Sequence, residues 1–379
     1  MRLAFAAALT VLAAGHGVAL AQEDVTPSAG VHASFEYLSA WIKNARVPPL
    51  VTADGNGVPG AAGTRVVLDN LDFADRARQG GQLTLGYRFE RAAPADIEVS
   101  YFFLPGSRSE ASFASMPSGE PLIARPFINV ATGLPDATRV SSPGVASGSL
   151  AIGASTRLSG AEANVATLLV STDTCHMSAL GGLRLLRIED ELAFDERFQV
   201  FPGVPGFGGS AVDLHDGLRT VNRFFGAQLG IDTGLRYGAL AIDFRGKLGV
   251  GQMRQLADID GVTNVLPPNA STIAYQGGLL ALRTNIGRHR RNKLAFLPEA
   301  SVGAGWRLTR NLKAYAGYAL LWVDNVVRAG EQIDRVVNTT QFPIISGNGP
   351  LSGPARPAFD FARQGFWMQR LAVGLELRF

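Results

Sequence analysis

Residues 370–379, Arg370-Leu-Ala-Val-Gly-Leu-Glu-Leu-Arg-Phe379, alternate without a break. Leu371, Val373, Leu375, Leu377 and Phe379 share one parity; Arg370, Ala372, Gly374, Glu376 and Arg378 share the other. Side chains on a strand point to opposite faces in turn, so this segment has an apolar face and a polar face. In a membrane barrel the apolar face meets lipid and the polar face meets the lumen. A charge on the lipid face near the midplane costs about 2–4 kcal/mol, which orients the strand.

The pattern recurs towards the N-terminus. Leu83, Leu85, Tyr87 and Phe89 oppose Gln82, Thr84, Gly86, Arg88 and Glu90. Ile97, Val99, Tyr101 and Phe103 oppose Glu98 and Ser100. Segments 240–251, 301–308 and 312–322 behave alike, and 32–42, 148–158, 161–171, 178–188, 191–201, 220–232 and 275–286 complete the candidate strands. Single-chain bacterial barrels have an even strand number, and the expectation is an all-β, up-and-down antiparallel transmembrane barrel of 12–14 strands. Short turns are expected at Ser159-Gly160, Asp232 to Leu235 and Thr309-Arg310-Asn311, and long loops over 44–80, 105–147, 202–218, 253–274 and 329–365. Aromatics near strand ends (Tyr37, Trp41, Tyr101, Trp306, Trp322, Trp367) fit an interfacial girdle.

Composition agrees. Charged residues make up 18% of the 379-residue chain and glycine contributes 44 positions. Soluble domains carry roughly 25% charge. Residues 1–21 read as a secretory leader: Arg2, an apolar run from Leu3 to Ala14, and Ala19-Leu20-Ala21 before Gln22. Residues 22–379 are then the barrel domain. No later stretch is apolar over the roughly 18 residues a spanning helix requires. The net charge of +3 is too small to indicate nucleic-acid binding, and the lone Cys175 permits no internal disulfide.

Chemistry-bearing motifs are sparse. There is no phosphate loop, nucleophile elbow, CxxC pair or HExxH spacing, so no catalytic, cofactor or metal residue is assigned. Cys175-His176 would point to opposite faces if extended. His215-Asp216, in the expected loop 202–218, invites a hydrolytic reading that solvated loops also explain. The basic run Arg288-His289-Arg290-Arg291 fits either anionic lipid at the rim or an ordinary solvated loop. The inward faces carry Arg88, Glu90, Glu98, Asp243, Arg245, Lys247, Arg307, Lys313, Arg370, Glu376 and Arg378, joined by Arg283, Glu162 and Asp232. A slight cationic excess allows weak anion selectivity; internal salt-bridging that stiffens a narrow lumen explains the same residues.

Several blocks carry a resemblance. They include Phe35-Glu36-Tyr37-Leu38 with Trp41, Pro48-Pro49-Leu50-Val51-Thr52, Arg125-Pro126-Phe127, and Leu180-Gly181-Gly182-Leu183-Arg184. Asn222 to Gly230, Gly277 to Ala281 and Pro298-Glu299 follow. The most specific block runs from Tyr315-Ala316-Gly317-Tyr318 through Trp322 and Val326 to Asp334, followed by Phe366-Trp367. From about 31 to 379 the chain resembles the seventh family of bacterial β-barrel porins. It departs at Ala329-Gly330-Glu331, where the family prefers Pro-Gly-Asp. The resemblance implies an exported barrel in the bacterial outer membrane, surrounded by outer-membrane lipid, and no catalytic residue. The leading expectation is a non-enzymatic pore passing small solutes or ions by diffusion. The alternatives are a plugged barrel that makes surface interactions and, last, an outer-membrane enzyme with rim residues. The terminal Phe379 on an alternating strand fits delivery to barrel assembly machinery.

Overall fold

The computed structural model describes residues 29–69, 77–89, 95–346 and 349–379. The expected leader and Glu90 lie outside the described residues. Ten strands close into a ring: β1 (Gly30–Ile42), β2 (Arg78–Phe89), β3 (Ala95–Ala114), β4 (Ala146–Ser171), β5 (Cys175–Val200), β6 (Ala211–Tyr237), β7 (Leu240–Leu266), β8 (Gly287–Arg307), β9 (Leu312–Val326) and β10 (Gln364–Arg378). Each pairs antiparallel with its sequence neighbours, and β1 closes on β10 from His32↔Arg378 to Ile42↔Met368. Closure pairs every strand edge within the ring, as backbone in hydrocarbon requires.

The all-β antiparallel barrel expected from the alternation is this ring, but it has ten strands rather than 12–14. Segments 148–158 and 161–171 fuse into β4, and 178–188 and 191–201 fuse into β5. Segment 275–286 supplies only the end of a short strand, Ile273–Gln276, paired to β7. The cause is a switch in which face is apolar. In β4, Leu150, Ile152 and Leu158 are buried inside, whereas Val165 and Leu169 are exposed outside. In β5, Leu192, Phe194, Ile188 and Leu186 are buried inside, and Leu183 and Leu185 are exposed outside. The apolar parity flips mid-strand, which imitates a turn in the sequence.

Ser159-Gly160 sits at one such flip and is continuous strand. A Cβ on Gly160 would lie 2.3 Å from Phe102 Cε1, so the glycine makes room for that ring. Asp232 to Leu235 is likewise inside β6, and the turn falls at Gly238, whose φ of +62° suits glycine. Loop 202–218 ends at Ser210, and most of 253–274 belongs to β7.

Short connections after β4, β6 and β8 lie at the end of the ring that also holds Gly30 and Phe379. Longer segments lie at the other end, the arrangement of outer-membrane barrels with external loops. Strands β4 to β7 have 26–27 residues. A tilted bilayer crossing takes about 9–11, so more than half of each stands beyond the lipid at the long-loop end. There, Val51–Ala53, Arg65–Leu68, Ile123–Asn129, Pro135–Ser141 and Val336–Val337 form a second sheet of five short strands. This cap packs Val51, Ile123, Phe127 and Val337 against inward-facing Leu150, Ile152, Leu192, Phe194 and Leu218 of the wall.

Candidate functional site

The interior is layered. At the short-turn end lies a polar vestibule of about 790 Å³. Arg88, Glu98, Asp243, Arg245, Lys247, Arg307, Lys313, Arg370, Glu376 and Arg378 all line it, as do Glu162 and Asp232. Arg283 does not. Its segment forms no barrel strand, and its Nη2 donates to the Gly349 carbonyl at 2.6 Å near the long-loop end.

Opposite charges pair across this space. Arg245 reaches Glu98 at 3.1 Å and Asp232 at 2.6 Å; Lys313 Nζ reaches Asp243 at 3.0 Å. Arg88 bonds Asp96 at 2.9 Å, and Arg378 Nε bonds Glu376 at 2.6 Å. Tyr315 donates its hydroxyl to Glu36 at 2.8 Å. Arg307 faces the mouth opposite Lys313 in the strand register.

The vestibule ends on a denser network. Lys247 Nζ lies 2.8 Å from Glu162 and 3.5 Å from Glu299. Arg184 pairs with Glu299 and lies 3.3 Å from Glu162. Arg370 holds Glu299 at 3.2 Å and Gln82 at 2.7 Å. Gln228 donates to Glu162 at 2.9 Å and to Asn164 at 2.6 Å. Strands β2, β4, β5, β6, β7, β8 and β10 are thus tied together across the lumen. Arg184 and Glu299 were not among the expected lumen residues. The signal was present: Arg184 lies between outward Leu183 and Leu185, and Glu299 shares parity with Ser301 and Gly303.

Beyond this network the inward faces turn apolar. Leu38, Ala40, Phe102, Leu104, Leu158, Leu186, Ile188, Phe224, Met253, Leu297, Leu321, Val323, Phe366 and Met368 form one buried cluster. Phe224 covers Gly226, where a Cβ would sit 2.6 Å from Cζ of the ring. The segment after β9 then enters the lumen. Arg328 pairs with Asp190, donates to the Lys43 carbonyl at 2.9 Å and stacks over Phe366 at 5.3 Å. Asn222 exchanges hydrogen bonds with Val327 at 2.7 and 2.9 Å.

A buried latch joins cap to wall. Arg125, from the Ile123–Asn129 strand, pairs with Glu196 of β5 and lies 2.8 Å from Asp216 of β6. Its guanidinium also stacks over Phe194 at 4.4 Å. Asp216 accepts from the Leu279, Leu280 and Ala281 amides at 3.1, 3.2 and 2.9 Å, pinning a second loop. Burial pushes the Glu196 carboxyl above its usual range, against the pull of Arg125. Burial alone would lower Arg125, but Glu196 and Asp216 outweigh it and raise the guanidinium further.

His215-Asp216 is strand, not loop, so its side chains diverge. Asp216 is buried in the latch, while His215 faces outside, with Nδ1 2.7 Å from Asp195. Cys175-His176 opens β5, and His176 alone lines the vestibule. The basic run splits too: Arg288 and Arg290 are exposed, and His289 and Arg291 are half-buried on the opposite parity. Among the described residues no group of His, Cys, Asp and Glu has the geometry to hold a metal.

The sequence profile of the family described as "Putative beta barrel porin-7" matches residues 32–379. The chain belongs to this family. It is an outer-membrane β-barrel of the bacterial cell. No curated protein matches it. Among solved structures, the outer membrane protease OmpT from Escherichia coli is similar at 12% identity, with 94% of this chain and 99% of that chain covered and a TM-score of 0.43. A FadL homologue from Pseudomonas aeruginosa aligns at 8% identity, 93% and 90% coverage and a TM-score of 0.23. An anion-selective porin from Comamonas acidovorans aligns at 9% identity, 93% and 99% coverage and a TM-score of 0.21.

Proposed function

We propose that this porin-family barrel is closed at rest and serves as a membrane-anchored surface scaffold, presenting its capped external half to partners. The supporting observation is the inward-facing apolar cluster above the Glu162–Arg184–Lys247–Glu299 network. An open channel would keep its lumen wide and wetted along its length, whereas here side chains of opposite walls meet. The cap and its latch add a second closure. No step of catalysis is assigned to any residue.

Passive diffusion of small solutes or ions is the competing reading. Family membership and the 790 Å³ vestibule favour it. It requires both closures to move. Barrel assembly machinery receiving β10 with its terminal Phe379 belongs to either reading.

Planar-bilayer recording of the refolded full chain separates them. A heat-modifiable, inserted barrel without stepwise conductance is expected, and conductance steps would overturn the closed reading. Phe102→Ser with Phe224→Ser, replacing two of the three rings of the apolar cluster, is expected to admit water and produce measurable leak.

A further inference from the structure

The outer wall carries a row of three arginines, two of which have no ion-pair partner among the described residues. In the register of β5, β6 and β7, Arg223 pairs directly with Arg187 on one side and with Arg254 on the other. All three are exposed and share parity with the lipid-facing residues of their strands. Two residues towards the short-turn end the same faces carry Leu185 and Phe225, exposed by 50% and 58%, with Gln252 between Phe225 and Leu294. Leu183, Val250 and Phe296 follow, all exposed. The arginines therefore stand where lipid-facing surface gives way to charge, on the long-loop side.

Like charges directly opposite each other weaken a sheet. At one end of the row and elsewhere on this outer wall the cost is met locally. Arg187 is held by Glu189 at 2.5 Å, Arg219 is shared between Glu189 and Glu191, and Arg288 meets Asp258 at 2.7 Å. Arg223 and Arg254 form no ion pair among the described residues, and neither does Arg290, one step further from the lipid band beside Leu256. Arginines at directly paired strand positions bring several N–H donors to one place, and such donors grip phosphate oxygens. Their position at the edge of the outer-leaflet band puts them at headgroup depth.

We propose that Arg187, Arg223 and Arg254 form a binding site for a phosphate-bearing lipid headgroup of the outer leaflet, whose acyl chains lie along Leu185, Phe225 and Leu294. Asn292, next in the row after Arg254, extends the polar edge. The site reads lipid, so it belongs to the barrel whether the lumen conducts or not.

The test is native mass spectrometry of the full chain, refolded in zwitterionic detergent and titrated with diphosphorylated lipid A or with phosphatidylcholine. Lipid A is expected to be retained at least tenfold more tightly than phosphatidylcholine. Arg223→Gln with Arg254→Gln should bring it to the phosphatidylcholine level while heat-modifiable mobility is unchanged. Arg223→Lys with Arg254→Lys should recover part of the preference, since charge returns without the fork. Equal retention by wild type and the glutamine variant, or no preference in wild type, would overturn the site. Displacement of lipid A by millimolar inorganic phosphate would also overturn it, by showing a free-anion site rather than a lipid one.

Discussion

The membrane half and the external half of the long strands are built from the same backbone with opposite polarity. In the lipid half of β6, Phe225, Leu229 and Ile231 face outwards, and Gln228 and Asp232 face in. In its external half, Asp213, His215 and Arg219 face outwards, and Leu214 and Leu218 face in. β4, β5 and β7 do the same. The alternation runs unbroken through the switch; only the solvent on each side changes. Lipid demands an apolar exterior, and the lumen tolerates charge only as paired networks. Above the lipid the wall obeys the rule of a soluble protein, and the cap supplies the missing half of its core. In the proposed closed state, closure of the lumen follows from folding: an external half with an apolar interior has to be filled.

The external half depends most on the latch. Arg125→Met should cost the cap about 3–5 kcal/mol, because it strands Glu196 and Asp216 in a buried site without their cation. Limited proteolysis should then cut 115–145 rapidly, while the barrel keeps its heat-modifiable mobility. Simultaneous loss of both would mean that cap and membrane half fold as one unit. The next effect belongs to the lipid face. Leu229 is 72% exposed there, and Leu229→Arg should destabilise the inserted barrel by roughly 2–4 kcal/mol. Denaturant unfolding from lipid vesicles measures it, and a neutral result would place the bilayer elsewhere on the strand.

These two regions were unequally legible in the sequence. The lipid half announces itself because one constraint, apolar outside, acts on every strand; Leu371 to Phe379 and Leu83 to Phe89 are read directly. Inward charges such as Arg245 and Lys247 follow from parity. The external half obeys the reverse rule, so the segments around Leu150 and Leu192 read as separate strands. Arg125 stood out only within a family block, with no sign of its role: Ile123–Asn129 does not alternate, and its partners lie on β5 and β6. The Arg187–Arg223–Arg254 row depends on the register of three strands, which no single stretch encodes.

A smaller effect sharpens the latch with pH. The folded carboxyl of Glu196 is raised above the ordinary 4.5 by burial, so the capped state keeps its proton to higher pH than the unfolded chain does. The contribution is fully present below pH 4.5 and is lost as pH rises through the folded value. Cap protection against protease should therefore be greatest at the acid end of that window, and Glu196→Gln should flatten the slope. A slope of the opposite sign, or one that survives Glu196→Gln, would assign it to another carboxyl.

The smallest effect lies on the outward face of the external half. Arg197 and Asp213 approach to 3.4 Å with side chains 81% and 64% exposed. Water screens such a pair, and holding two mobile side chains offsets most of the attraction, so Asp213→Asn should change stability by no more than about 0.2–1 kcal/mol. Added salt should erase even that, because exposed charges are screened. Asp213 and Leu229 share one face of one strand, so the pair of substitutions measures the boundary between solvents directly. A large, salt-insensitive cost at Asp213 would mean that this stretch of wall is covered, and the polarity switch would then mark a protein interface rather than open water.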